Sequence, residues 1–250
     1  MVSTVIFLKS CNLRCPYCYN APLVLNTEES ENLVSFEDML LHLKKRKNVL
    51  SGFVISGGEA LLYPHLKELI TKSKELGYKV KLDTNGTLPA KLEEIINNPL
   101  TKPDFIAMDI KTDPKKYSSL LTENHNNLMD FEKNIKKSIS IIEKFPSNAR
   151  EFRTILVPTL IKKEDIGAIG KLIPKDSSWQ FAQFINDNCL DSNYNNITIN
   201  EEYKQYILKN MPNDLNLFEK VIYIYIKMCK SLTYDEEFFA FNQRGETVKK

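Results

Sequence analysis

The sequence predicts an α/β protein: a partial (β/α)6 TIM-like barrel of parallel strands, followed by a mostly helical C-terminal extension. Short apolar segments rich in β-branched residues alternate six times with segments of helical periodicity, and Gly, Asn or Pro marks several of the turns between them. Such units, joined by right-handed crossovers, build a parallel sheet covered by helices. The alternation stops near residue 186, so we predict a core over residues 1–185 and an extension over residues 186–250.

Each predicted strand is a short apolar run beside a turn signal, as expected for strands buried in a parallel sheet. The six runs lie at residues 2–8, 53–55, 78–82, 104–110, 152–157 and 179–184. Ligands of such sheets bind at the carboxyl ends of the strands, so we expect the functional site there.

The predicted helices begin and end at recognisable residues. The first begins at Ser35, whose spacing to Asp38 is that of a capping box, and the second ends before Gly77, a favourable residue after a helix. The five core helices are predicted at residues 35–47, 64–76, 88–96, 130–145 and 163–172, and two more in the extension at 201–210 and 217–230.

Composition and charge exclude several classes of protein. With 34 basic and 32 acidic residues the net charge is only +2, which does not favour a nucleic-acid partner. No apolar run approaches the ~20 residues that cross a bilayer, and residues 1–8 are interpreted as a strand rather than a signal peptide. The five cysteines are odd in number and three are clustered. This favours a reducing cytoplasm over a secreted disulfide framework.

The cluster of Cys11, Cys15 and Cys18 directly follows the first predicted strand. Thiolates are soft ligands that suit zinc or iron–sulfur clusters. A structural zinc site usually has four ligands, but no fourth candidate has finger-like spacing. Those candidates are His42, His65, His125, Cys189 and Cys229. Three thiolates on a four-iron cube would leave one iron open for a ligand.

Two simpler interpretations compete with an iron–sulfur cluster. Zinc could use a distant fourth ligand. The Cys15-Pro16-Tyr17-Cys18 stretch could also be a glutaredoxin-like dithiol, and Val157-Pro158 would then supply the proline that faces it. That fold needs only about half of this length and leaves Cys11 without a role.

The C-x3-C-x-aromatic-C spacing after a first strand resembles the signature of the radical SAM superfamily. The resemblance implies that Cys11, Cys15 and Cys18 bind a 4Fe–4S cluster. It also implies that the open iron chelates the amino and carboxylate groups of S-adenosylmethionine (SAM), and that Tyr17 lies against the adenine side.

Two later segments are similar to motifs of the same family. Gly57, Gly58 and Glu59 resemble the GGE motif, in which the backbone and the acid meet the ammonium group of SAM. The glycines would let the cofactor approach the backbone. Asp83 and Asn85, in an Asp-Thr-Asn-Gly stretch, are placed to bind the ribose hydroxyls of SAM. If the family resemblance is set aside, both segments are interpreted simply as turns.

The fourth and fifth strands carry the remaining candidates. The stretch containing Asp109 and Lys111 resembles the M/L-D-I/L-K segment of glycyl-radical-enzyme activating enzymes, whose polar groups reach SAM. An arginine at the position of Arg153 would bind the carboxylate of SAM. The alternative interpretations are that Lys111 is a solvated surface charge and that Arg153 forms an ion pair within the protein. Gln180 and Gln183 could point into the mouth of the barrel.

The matched segments are most similar to the anaerobic ribonucleoside-triphosphate reductase activating protein branch. This implies reductive cleavage of SAM to a 5′-deoxyadenosyl radical, which installs a glycyl radical on a partner such as anaerobic ribonucleotide reductase. An external one-electron donor, flavodoxin or ferredoxin, would supply the electron. Hydrogen abstraction requires no general base, so we expect no histidine dyad.

Two other functions remain open from the sequence. One is a radical SAM enzyme with a small-molecule substrate, such as a modified purine or pterin. The other is a dithiol redox or metal-binding protein without SAM chemistry. The chain lacks the Asp-Tyr-Pro-Gly-like stretch that often precedes the first strand in the activating-protein branch, and its extension matches little. Both departures bear on the substrate more than on the cofactors.

Overall fold

A computed structural model of the chain describes residues 2–27, 33–123 and 129–197, together with Tyr203, Gln205 and two short strands near the C terminus. No helix within these residues is long and apolar enough to span a membrane.

Six parallel strands form one sheet whose spatial order follows the chain, and the predicted fold class, a partial barrel, is confirmed. The strands are β1 (Ser3–Leu8), β2 (Gly52–Gly57), β3 (Lys79–Thr84), β4 (Phe105–Asp109), β5 (Arg150–Leu156) and β6 (Ser178–Gln183). β2 is longer than predicted because its flanking small residues pair with β1, from Ser3 opposite Gly52 to Leu8 opposite Gly57.

The helices cover one face of this sheet. They are α1 (Ala21–Leu25), α2 (Phe36–Arg46), α3 (Leu66–Glu75), α4 (Pro89–Asn97), α5 (Tyr117–Leu121), α6 (Phe131–Ile142) and α7 (Lys163–Gly170). Ser35 is confirmed as the N-cap of α2, because its Oγ accepts from the Asp38 N–H at 3.0 Å. The Asp38 carboxylate accepts from the Ser35 hydroxyl at 2.8 Å, whereas in a capping box it would accept from the N-cap backbone N–H. α1 and α5 were not predicted, since five residues are too few to show a helical period.

Side chains alternate between the two faces of each strand. One face packs on the helices and is fully buried, as Ile55, Leu82 and Ile106 show. The opposite face, here called the open face, carries Val5 and Phe7 on β1, which are 48% and 49% exposed. Its other members are mostly charged or polar, namely Lys81, Asp83, Asp109, Glu151, Arg153 and Gln180. The candidate site therefore lies on this face and at its carboxyl edge.

Of the predicted extension, residues 186–197, two further residues and two short strands near the C terminus are described. Residues 186–197 pack on the core, and Tyr203 donates a hydrogen bond to the Ile161 carbonyl at 2.9 Å. Near the C terminus, β7 (Ala240–Phe241) pairs with β8 (Thr247–Val248) in antiparallel fashion. The predicted helices at 201–210 and 217–230 lie outside the described residues, except for positions 203 and 205. The division at residue 185 stays a prediction.

Candidate cluster and cofactor site

The cysteine loop, residues 10–18, leaves β1 at the carboxyl edge of the sheet and is held by its own hydrogen bonds. The backbone N–H of Arg14 donates to the Leu121 carbonyl at 2.7 Å. The Arg14 guanidinium donates to the carbonyls of Cys11 and Leu13 at 2.8 and 3.0 Å. The Cys18 N–H donates to the Cys15 carbonyl at 3.0 Å. These bonds fix the curve of the loop and bring its three cysteines into one neighbourhood.

A segment that follows β6 holds the outer side of this loop. The N–H groups of Leu190 and Asp191 donate to the carbonyls of Cys18 and Pro16, each at 2.9 Å. The ring of Phe184 meets the rings of Tyr17 and Tyr194 edge-on, with centroids 6.4 Å apart in both pairs. We call residues 184–197 the clamp. Sequence patterns gave no sign of it, because its contacts cross about 170 residues of chain.

The three loop cysteines lie close together; Cys15 is buried, and Cys11 and Cys18 are partly buried. Burial raises the pKa of Cys15 to about 12; the positive charge of Lys111 opposes this, and Cys11 and Cys18 add to it. Burial likewise raises the pKa of Cys11. A redox dithiol depends on a lowered thiol pKa, so the environment disfavours the glutaredoxin-like interpretation. Deprotonated thiols here call for a strongly bound cationic group.

A structural zinc site needs four ligands around one ion. Within the described residues, no group of three or more His, Cys, Asp or Glu side chains is arranged to hold a single metal ion.

Gly57 and Gly58 are required by the protein backbone itself. Gly57 has φ +127°, and a Cβ there would lie 2.2 Å from the nitrogen of Leu8; a Cβ on Gly58 would lie 2.1 Å from the carbonyl oxygen of Ser10. Backbone at the end of β1 and in the cysteine loop fills the space that a Cβ on either glycine would need. The contact of these glycines with SAM stays a prediction.

Glu59 is fully buried and ties the end of β2 to the end of β3. Its carboxylate accepts from the Leu61 N–H at 3.0 Å, the Thr84 hydroxyl at 2.8 Å and the Asn85 N–H at 2.7 Å. Burial raises the pKa of Glu59, and these three donors oppose the rise. The structure thus gives this acid a structural role, and its predicted contact with the ammonium group of SAM stays a prediction.

Replacing Glu59 by glutamine should destabilise the protein by about 1–3 kcal/mol, since an amide NH2 would face an N–H or O–H donor in a buried site. The free energy of unfolding from urea titration would show this. Glu68→Gln is the matched control, because the Glu68 side chain is 54% exposed beside His65. Equal stability of the Glu59 and Glu68 variants would contradict the structural role.

A network of charges crosses the open face. Asp109 receives the Lys111 ammonium at 2.9 Å and the Arg153 guanidinium at 2.7 Å, and Arg153 also lies 3.2 Å from Asp83 Oδ2. Deeper in, Lys81 binds Glu151 at 2.7 Å. Burial disfavours the charge on Asp109, but Arg153 and Lys111 outweigh it and hold its pKa well below the usual range.

This network decides the alternatives left open for two basic residues. Lys111 is not solvated: its side chain is 15% exposed, and although burial disfavours its charge, Asp109 and Cys15 raise its pKa. Arg153 is ion-paired, as its alternative interpretation expected. Pairing uses only part of a guanidinium with five N–H donors, so a contact with the carboxylate of SAM stays a prediction.

Asp83 has one oxygen without a hydrogen-bond partner among the described residues, although this oxygen is buried. The Lys81 ammonium lies 3.9 Å from it. Buried acceptors are normally satisfied. An unsatisfied carboxylate oxygen at this edge therefore fits an added group with hydroxyl donors, such as a ribose.

Tyr17 and Asn85 make contacts that the motifs alone do not suggest. Tyr17 is buried, and its ring packs edge-on against Phe184; its adenine contact stays a prediction. Asn85 is buried, and its side chain bonds to Asn12 and Thr87, neither of which was predicted. Gln180 lies on the open face, where it donates to Glu151 at 3.2 Å; the Gln183 side chain is outside the described residues.

The fold and the cysteine loop together indicate a class of protein, the cluster-binding enzymes built on an open parallel barrel. The model of the radical SAM superfamily matches residues 5–173. The chain belongs to this superfamily. Its cofactors are a 4Fe–4S cluster and SAM.

Two curated relatives resemble the chain over most of its length. One, from Methanocaldococcus jannaschii, is named "Putative glycyl-radical enzyme activating enzyme MJ1227"; it is 32% identical over 206 residues, which cover 80% of each chain. Another is a pyruvate formate-lyase-activating enzyme of Clostridium pasteurianum, 31% identical over 182 residues and 69% of each chain.

A solved structure supports the fold independently. Native anSMEcpe with bound AdoMet (SAM) superposes with a TM-score of 0.52 at 17% identity. The match covers 74% of this chain and 53% of that protein. This chain thus spans about half the length of that protein, and the likeness concerns the fold.

Proposed function

We propose that this enzyme is an activase that installs a glycyl radical on a partner enzyme, such as an anaerobic ribonucleotide reductase. The supporting observation is the likeness to a relative named for this activity, which covers 80% of both chains rather than the cofactor-binding core alone. When bound, the cluster supplies an electron that cleaves SAM to methionine and a 5′-deoxyadenosyl radical, which takes a hydrogen atom from a backbone glycine.

The roles of the loop residues follow from their positions. Cys11, Cys15 and Cys18 hold the cluster. Lys111 places a buried positive charge beside the thiolates, which offsets part of their mutual repulsion. Lys111 itself is held by Asp109 at 2.9 Å.

SAM is bound along the edge of the open face in this proposal. Arg153 presents its remaining donors to the carboxylate group, since a planar guanidinium pairs well with a carboxylate. Asp83 accepts a hydrogen bond from a ribose hydroxyl through its unsatisfied oxygen. Gly57, Gly58 and Glu59 shape the wall that faces the ammonium group.

The partner and the electron come from outside the chain. Exposed Val5 and Phe7 on the open face offer apolar contacts to a peptide that carries the target glycine.

Beyond the loop, the sequence contains only Cys189 and Cys229, which are too few for a second cysteine-ligated cluster. Flavodoxin or ferredoxin would therefore deliver the electron. The four described cysteines are free thiols, which suits a reducing cytoplasm.

Mixing the anaerobically reconstituted enzyme, SAM and a reductant with a glycyl radical enzyme from the same organism should produce the doublet of a glycyl radical in the electron paramagnetic resonance spectrum. The partner with its target glycine changed to alanine is the matched control and should give no signal. If SAM is cleaved but no candidate partner acquires a radical, the activase role is wrong, and a small-molecule substrate becomes the better proposal.

A further inference from the structure

The sulfur of Cys11 lies beside two N–H donors from different parts of the chain. The backbone N–H of Leu13 donates to it at 3.4 Å. The side-chain amide of Asn85 donates to it at 3.8 Å, across 74 residues of sequence. Sulfur is a large, weak acceptor, so hydrogen bonds to it are longer and weaker than those to oxygen. Asn85 is thus in contact with a cluster ligand.

The chemistry of its neighbours fixes the orientation of the Asn85 amide. The Thr87 backbone N–H, which can only donate, lies 3.0 Å from Asn85 Oδ1. The amide oxygen must therefore face Thr87, whose hydroxyl also donates to it at 2.6 Å. The amide nitrogen consequently faces Cys11 and the side-chain oxygen of Asn12, 3.0 Å away.

The surroundings leave this amide little freedom. Asn12 Nδ2 donates to the Thr87 hydroxyl at 2.7 Å, which closes a ring of hydrogen bonds among Asn12, Asn85 and Thr87. Thr87 is fully buried. The Asn85 backbone is held separately by Glu59, at 2.7 Å. Both ends of the amide are therefore bound within the protein, and the donor aimed at sulfur is fixed before any ligand arrives.

We propose that Asn85 is a positioning residue that raises the reduction potential of the cluster by donating a hydrogen bond to the Cys11 thiolate. This rests on the proposed function, in which Cys11 is a cluster ligand. Hydrogen bonds to the sulfurs help set cluster potentials. A donor stabilises the reduced cluster, which carries the extra negative charge, more than the oxidised one. The effect is strengthened in a buried site, where the local dielectric is low.

Asn85→Leu tests this, because leucine keeps the branching of the asparagine side chain at Cγ but has no N–H donor. The midpoint potential of the reconstituted protein, measured by redox titration with detection of the reduced cluster by electron paramagnetic resonance, should fall below that of the wild type. Thr87→Val, which removes one of the two donors that hold the amide oxygen, should lower the potential by a smaller amount.

Ser138→Ala is the matched control. The Ser138 hydroxyl is buried and donates to the Gly86 carbonyl at 2.6 Å, in the same turn but away from sulfur. Its loss should weaken the turn without changing the potential, so a purely structural effect would appear here as well. Equal shifts in the Ser138 and Asn85 variants would overturn the proposal.

The remaining outcomes also decide the question. An Asn85→Leu protein with full iron content and the wild-type potential overturns the proposal. If Asn85→Leu does not bind iron although the wild type does, Thr87→Val decides: a lowered potential supports the role of Asn85, and an unchanged one rejects it. If the wild type itself never binds a cluster, the proposed function fails, which is a separate result.

Discussion

Cys15→Ala should lose the iron–sulfur absorption and form no 5′-deoxyadenosine after anaerobic reconstitution. Cys15 is the most buried of the three loop cysteines, at 8% exposure, so water would not readily replace its sulfur on the iron. Loss of a direct ligand should exceed the ~10–100-fold loss of metal affinity typical when a residue supporting a ligand is changed. Iron content, the visible spectrum and product analysis measure the effect.

Cys189→Ala is a control of equal burial. Cys189 is also 8% exposed and lies near Cys18 in the clamp, where its thiol donates to the Ile185 carbonyl at 3.7 Å. This variant should retain iron and product formation. The assignment of the loop cysteines as ligands is wrong if Cys15→Ala keeps a full cluster, or if Cys189→Ala loses it to the same extent.

Gly57→Ala should destabilise the protein by about 2–6 kcal/mol. Its φ of +127° disfavours an L side chain, at a cost of about 1–3 kcal/mol. The new methyl would also meet the nitrogen and oxygen of Leu8 at 2.2 and 2.3 Å. These are backbone atoms that cannot rotate away, and forced overpacking costs about 1–3 kcal/mol more. The free energy of unfolding from urea titration measures the sum.

Gly167→Ala separates this clash from a general sensitivity to added methyl groups. Gly167 lies inside α7, and a Cβ there would meet nothing within 4 Å. Because glycine weakens a helix interior, this change should stabilise the protein by about 0.5–1 kcal/mol. A Gly57→Ala protein as stable as the wild type would refute the tight contact between the ends of β2 and β1.

Local sequence patterns predicted the strands of this fold because burial makes strands locally apolar. Phe53 and Ile55, for example, are fully buried in β2. The short apolar segment that contains them can be recognised from the sequence alone. The spacing of Ser35 to Asp38 likewise predicted the start of α2. The five-residue helices α1 and α5 left no such pattern.

Most residues of the candidate site could be predicted from the sequence, but the contacts between them could not. Family motifs picked out Glu59 and Asn85, yet gave no indication that one is bonded to the other. Asn12 and Thr87 carry no motif of their own; their roles arise only because the ends of β1 and β3 are neighbours of the end of β2. Such hydrogen bonds join residues about 70 positions apart, and no short sequence window records them.

The clamp has a practical consequence for truncation. A shortened chain that stops at residue 185, where the sequence pattern changes, would lack Leu190 and Asp191 and so lose both backbone bonds to Pro16 and Cys18. It would keep all three loop cysteines yet release one side of the loop that carries them. A minimal version of this enzyme, or a transplant of its loop into another barrel, therefore has to include residues 186–197.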